Sequence, residues 1–230
     1  MLYEDSLVIW RALGDRAGIA MALNNLAIRN QDQGNLGAAL ALLEDVLSIR
    51  RELKDVGGIG SSLLALANVT SDAGDHPAAR KRYDEALLIQ REWDDRRNIA
   101  LTLTNVGRTA CAQGEYAYAL KVQRESLEIA RQLGASWAIV NALDGLAAVI
   151  AALGGALRAA RIWGAAARIR EEIGSPLPPT ERQLHEGRVA TARANSGDAA
   201  AFEETWTAGR GLTVEQAIEV ALQERVPGSD

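Results

Sequence analysis

Two histidines and one cysteine are the side chains of this 230-residue chain best suited to metal, acid–base or nucleophilic chemistry, and their placement gives them little to work with. A metal site needs several ligands converging on one point, whereas His76 and His185 fall in different segments. His76 also shares a column with Leu36 and Tyr116, where a half-buried packing role is expected. A reactive thiol needs a base or a positive field to hold it as thiolate. Cys111 has no histidine near it in sequence and reads as a small buried residue. The carboxylate pairs Asp94-Asp95 and Glu203-Glu204 are adjacent in sequence. Neighbouring residues on a helix do not face each other, so these pairs read as solvated charge. The phosphate-cradling pattern GxxxxGK[ST] is absent, and the glycine-rich spots sit where helices turn. The expectation is no catalysis, no cofactor and no metal.

The elements that would position any of these residues follow a forty-residue period. Gly34, Gly74, Gly114 and Gly154 are evenly spaced, as are Ala39, Ala79, Ala119 and Ala159, and Ile49, Ile89, Ile129 and Ile169. Each unit fits two helices. The first carries Leu23-Leu26, Leu63-Leu66, Leu103-Val106 or Leu143-Leu146, and the second carries the Ala and Ile columns. Glycine accepts positive φ at a helix end, and Asn35 or Asp75 just after it can cap the next helix. Two helices cannot bury their apolar faces alone, so units must stack. Residues 1–13 align with a second half-unit, and full units run over about 17–53, 57–93, 97–133 and 137–173. The first segment presents Leu2, Leu7, Val8 and Trp10 with no helix before it, which suggests a piece of a longer protein and an end through which copies could associate. After Gly174 the stiff segment Ser175-Pro176-Leu177-Pro178-Pro179 breaks the pattern. Capping boxes at Thr180 with Gln183 and at Thr213 with Gln216 then open helices to about Asn195 and about Arg225, with another between them from Asp198 to about Ala208. Residues 175–230 read as helices that cap the stack formed by residues 1–174.

The order Leu143-Leu146-Ala147-Gly154-Ala159-Trp163, and its counterpart Leu103-Val106-Gly107-Gly114-Ala119, resembles the tetratricopeptide repeat in a forty-residue form. The resemblance implies an all-α fold, a superhelical solenoid of antiparallel helix pairs whose first helices line a concave groove. It places Asn24, Asn25, Asn68, Asn105, Arg108, Asn141 and Asp144 on that groove. An asparagine offers both a donor and an acceptor, so a column of them can pair with the backbone of an extended peptide; equally, it can bond between helices. Arg108 is the one inward cation, too few for a clamp on an acidic terminus. Trp93 and Trp163 sit in apolar columns and read as core, and Trp206 as packing of the cap. Trp10 and Trp137 lie off the columns, either anchoring a partner or packing between repeats.

Composition narrows the partner. Hydrophobic residues make up 48% and charged residues 24%, the balance of a folded rather than a disordered chain. The formal net charge of -5 gives no general attraction for phosphate backbones, so direct nucleic-acid binding is not expected. No apolar run is long enough to span a membrane, and a single cysteine suits the cytoplasm. A second resemblance lies in residues 163–222: the segments GSPLPP and GRGLTVEQA are similar to the carboxy-terminal region of LuxR-, MalT- and AfsR-like bacterial transcription regulators with a STAND-type ATPase module. It implies a regulatory arm binding a peptide, a protein or other domains of its parent, with small-molecule sensing or homo-oligomerisation as the alternatives.

Overall fold

A computed structural model describes residues 2–223, and among them every regular element is an α-helix. The chain divides into two compact units, residues 1–102 and 103–230. The first contains α1 (Leu2–Leu13), α2 (Arg16–Asp32), α3 (Leu36–Glu52), α4 (Val56–Asp72), α5 (His76–Glu92) and the start of α6 (Arg96–Ala112). The second contains the rest of α6, α7 (Tyr116–Gln132), α8 (Ser136–Ala152), α9 (Ala156–Glu172), α10 (Pro179–Asn195), α11 (Ala199–Arg210) and α12 (Val214–Leu222).

The glycine column ends the first helix of each repeat. Gly34, Gly74, Gly114 and Gly154 have φ of 78°, 85°, 77° and 89°, a conformation that costs other residues energy. The same left-handed turn closes each second helix, at Gly14, Lys54, Asp94, Gly134 and Gly174. Two of those five positions therefore carry a side chain where glycine fits best. Three first helices start on a carboxylate: Asp15 accepts from the Gly18 amide at 2.9 Å, Asp55 from the Gly58 amide at 2.9 Å and Asp95 from the Asn98 amide at 3.1 Å, whereas α8 follows Ala135 with no side-chain cap. Among the second helices Asp75 caps as expected, accepting from the Ala78 amide at 3.0 Å, while Asn35 makes no side-chain cap.

The alanine column is fully buried at Ala39, Ala79, Ala119 and Ala159, which lets paired helices approach closely. Ile49 and Ile169 are buried as well, whereas Ile89 and Ile129 are half-buried. Trp163 is core; Trp93 is not, being 63% exposed. Its column explains the correction. Leu53, Leu133 and Ile173 are also exposed, because the position lies one residue past the helix, off the buried stripe.

In the second unit the packing of α9 against α11 uses glycine on both sides. A Cβ at Gly164 would lie 2.1 Å from the Trp206 carbonyl oxygen, and one at Gly209 would lie 2.0 Å from that of Arg161. The last helix opens on the expected capping box: the Gln216 amide donates to Thr213 Oγ1 at 3.2 Å, and the Thr213 amide donates to Gln216 Oε1 at 2.9 Å. The other box is corrected. The N-cap of α10 is Pro178, so Thr180 already lies inside the helix, whose first turn proline enters without losing a needed donor. Gln223 is extended, and Arg225, where the sequence placed the end of the last helix, lies outside the described residues. Among the described residues no helix is long and apolar enough to cross a membrane.

Candidate functional site

In the first unit one face of α2 is left open. Met21, Asn24, Asn25 and Ile28 follow the spacing that puts residues on one side of a helix. Met21 and Ile28 are 55% and 50% exposed, and Asn24 and Asn25 between them are half-buried. One turn on, Gln31 Nε2 donates to Asp72 Oδ2 at 2.7 Å, tying the end of α2 to the end of α4. On α4, Asn68 is committed to the fold, its Oδ1 accepting from the hydroxyl of buried Tyr83 at 2.9 Å. Nearby Arg82 ties α5 to α3 through Glu44 at 2.7 Å. Trp10 packs as a structural residue, its ring covering Gly18, where a Cβ would sit 2.5 Å from it.

In the second unit three of the anticipated residues converge. Arg170, reaching from α9 to α8, donates from Nη2 to Asn141 Oδ1 at 2.8 Å and to Asp144 Oδ2 at 2.5 Å, and from Nε to the same carboxylate at 3.1 Å. Arg108, on α6, faces Glu181 of α10 at 3.7 Å. These side chains, with His185 and Arg188 from α10, line a cavity of about 30 Å³, room for a water molecule. Asn105 is half-buried and has interactions of its own. The helix α10 thus lies over the α6 and α8 residues that the sequence assigned to an open groove. Its His185 meets Trp163 edge-on, with ring centroids 5.8 Å apart.

Electrostatics on this face follow from burial. Desolvation pushes the His185 pKa below its ordinary 6.5, with the Asp144 charge acting in the opposite direction. Desolvation, then the neighbouring Arg108, also lowers that of Arg188. Cys111 is half-buried on the same face, and desolvation raises its thiol pKa above 9.0, against the pull of Arg188. A thiol so protonated is a poor nucleophile near neutral pH. Trp137 packs against the core of the unit, and His76 is half-buried with Nδ1 3.4 Å from the Ser71 hydroxyl.

Sequence reasoning missed Arg170, and its column held the clue. Position 170 shares its period column with Arg50, Gln90 and Ala130, and three of the four are polar residues that directly follow buried or half-buried isoleucines. In the first unit Arg50 Nη1 donates to the Gly58 carbonyl at 2.7 Å and to the Ser62 hydroxyl at 2.9 Å, and Gln90 Oε1 accepts from Thr102 at 2.9 Å. A polar residue repeated beside an apolar column marks a bond between helices.

Models of the tetratricopeptide repeat match residues 19–53 and 58–132. No curated protein matches the chain. Among solved structures, a kinesin light chain-like protein of Podosopora anserina with nearly identical TPR-like repeats is 19% identical, covering 89% of this chain and 97% of that one, with a TM-score of 0.60. BtubC (BKLC) from P. vanneervenii is 17% identical over 99% of this chain and 93% of that one, with a TM-score of 0.69. At these identities the likeness is one of fold. The chain carries tetratricopeptide repeats over residues 19–53 and 58–132 and has the all-α fold of a tetratricopeptide solenoid.

Proposed function

We propose that this chain is a noncatalytic protein-interaction module that binds a peptide or protein segment on the open face of its first helices. Tetratricopeptide repeats imply protein–protein interaction, and the face of α2 gives that role a surface. The observation that carries it is the pairing of exposed Met21 and Ile28 with half-buried Asn24 and Asn25 on one side of the helix. Apolar side chains supply contact area, and amides pair with the backbone of the incoming segment. In this reading Asn68 positions the neighbouring helix through Tyr83. Asn105, Arg108, Asn141 and Asp144 form the corresponding set in the second unit, with Asn141 and Asp144 held by Arg170 and Arg108 facing Glu181 of α10. Residues 1–174 are the binding part and residues 175–230 the terminal cap.

The wider role is that of a regulatory arm in a cytoplasmic bacterial transcription regulator, supported by the similarity of GSPLPP and GRGLTVEQA to the tails of such proteins. A peptide-library selection on the whole chain tests the surface. Enriched peptides should lose at least tenfold in affinity to Met21→Asp or Asn25→Ala and be unaffected by Leu88→Asp on α5. Peptides indifferent to the α2 substitutions would end the proposal.

A second reading, self-association through α1, is favoured by one comparison. Ile9 is 57% exposed, while Ile49, its equivalent one period on, is 5% exposed under its covering helix. Light scattering should show an oligomer that Ile9→Asp dissociates; a monomer at high concentration would exclude it.

A further inference from the structure

The second unit contains an open cleft of about 810 Å³ between α10 and α11. Its origin is in the packing. Gly164 and Gly209 press α11 onto α9, while α10 leans on Trp163 through His185, so the two helices part from the turn at Ser196-Gly197-Asp198. Short side chains keep the gap open: Ala190 and Ala194 stand on its α10 wall, where leucines would close it. Trp206 on the opposite wall is half-buried and stacks on Phe202 with centroids 6.5 Å apart and planes at 28°. A volume of this size with apolar walls and a few polar groups is that of a small-molecule site.

The charges around the cleft select the ligand. Arg193 and Glu203 face each other at 3.3 Å and neutralise one another, which leaves Glu186 as the uncompensated lining charge. His185 adds no cation at neutral pH, since burial favours its neutral form. A negative rim beside an indole face attracts a cation and repels an anion. We infer that the cleft between α10 and α11 binds a small organic cation with a flat apolar body, its ring against Trp206 and Val189 and its charge toward Glu186. This site is independent of peptide binding at α2.

The test titrates the whole chain with thioflavin T, a flat cationic dye, and with the anionic naphthalene dye ANS, following dye and tryptophan fluorescence. Thioflavin T should saturate a single site at least tenfold more tightly than ANS. Ala194→Trp, on an exposed position, should abolish binding without changing the melting temperature, and Glu186→Lys should weaken it about tenfold. Asn25→Ala on α2 should leave it unchanged, which separates failure here from failure of the peptide surface. Absence of saturable thioflavin T binding, ANS binding as tightly, or binding that survives Ala194→Trp would each overturn the assignment.

Discussion

Replacing Arg170 with Met should destabilise the second unit strongly, and replacing Asp144 as well should restore most of the loss. Arg170 and Asp144 have side-chain exposures of 13% and 16%, so the pair is largely removed from water. At about 3 Å and an effective dielectric constant near 20, the gross attraction is about 5 kcal/mol, most of it offset by desolvation. Removing one partner leaves the other charge stranded, which costs about 3–5 kcal/mol when burial is complete. The residual exposure here lowers the expectation to about 2–4 kcal/mol, including the hydrogen bond from Arg170 to Asn141. Methionine preserves the apolar length of the side chain, so cavity formation contributes little. Urea denaturation followed by circular dichroism at 222 nm measures the loss. The double variant Arg170→Met/Asp144→Leu should recover at least half of it, because no buried charge is then left unpaired. A loss under about 1 kcal/mol for the single variant, or strictly additive effects, would show that the network is not structural.

Three further outcomes follow from the same packing. Gly164→Ala places a Cβ 2.1 Å from a backbone oxygen, which cannot rotate away, so it should cost about 1–3 kcal/mol in a chemical melt and open the α9–α11 contact. Lys54→Gly relieves a φ of 56° and should stabilise the first unit by about 1 kcal/mol, measured as a higher melting temperature. Because folding lowers the His185 pKa below 6.5, the unfolded chain takes up the proton first. Stability is therefore full above about pH 6.5, declines as the pH falls toward the folded-state pKa, and should decline less in His185→Gln.

The repeat made most of the fold legible. Glycines at fixed spacing marked the turns, and the alanine column marked where helices touch; both are backbone requirements that a one-dimensional period records directly. Trp93 shows the limit, since an apolar column just beyond a helix end is as regular as one in the core. The site was less legible. Asn68, Asn141 and Asp144 were found as polar residues on first helices, but their partners Tyr83 and Arg170 lie on other helices and are joined only by packing. The placement of α10 over Arg108 depends on the direction in which the chain leaves its proline segment, which no periodicity encodes.

The central claim is that an incoming segment docks on the open face of α2. Amide hydrogen exchange of the whole chain, with and without a saturating selected peptide, tests it most directly. Slowed exchange over residues 16–32 and the facing part of 56–72, with α5 unchanged, is the predicted footprint. Protection confined to α5 or to α12, with α2 exchanging as in the free chain, would contradict it.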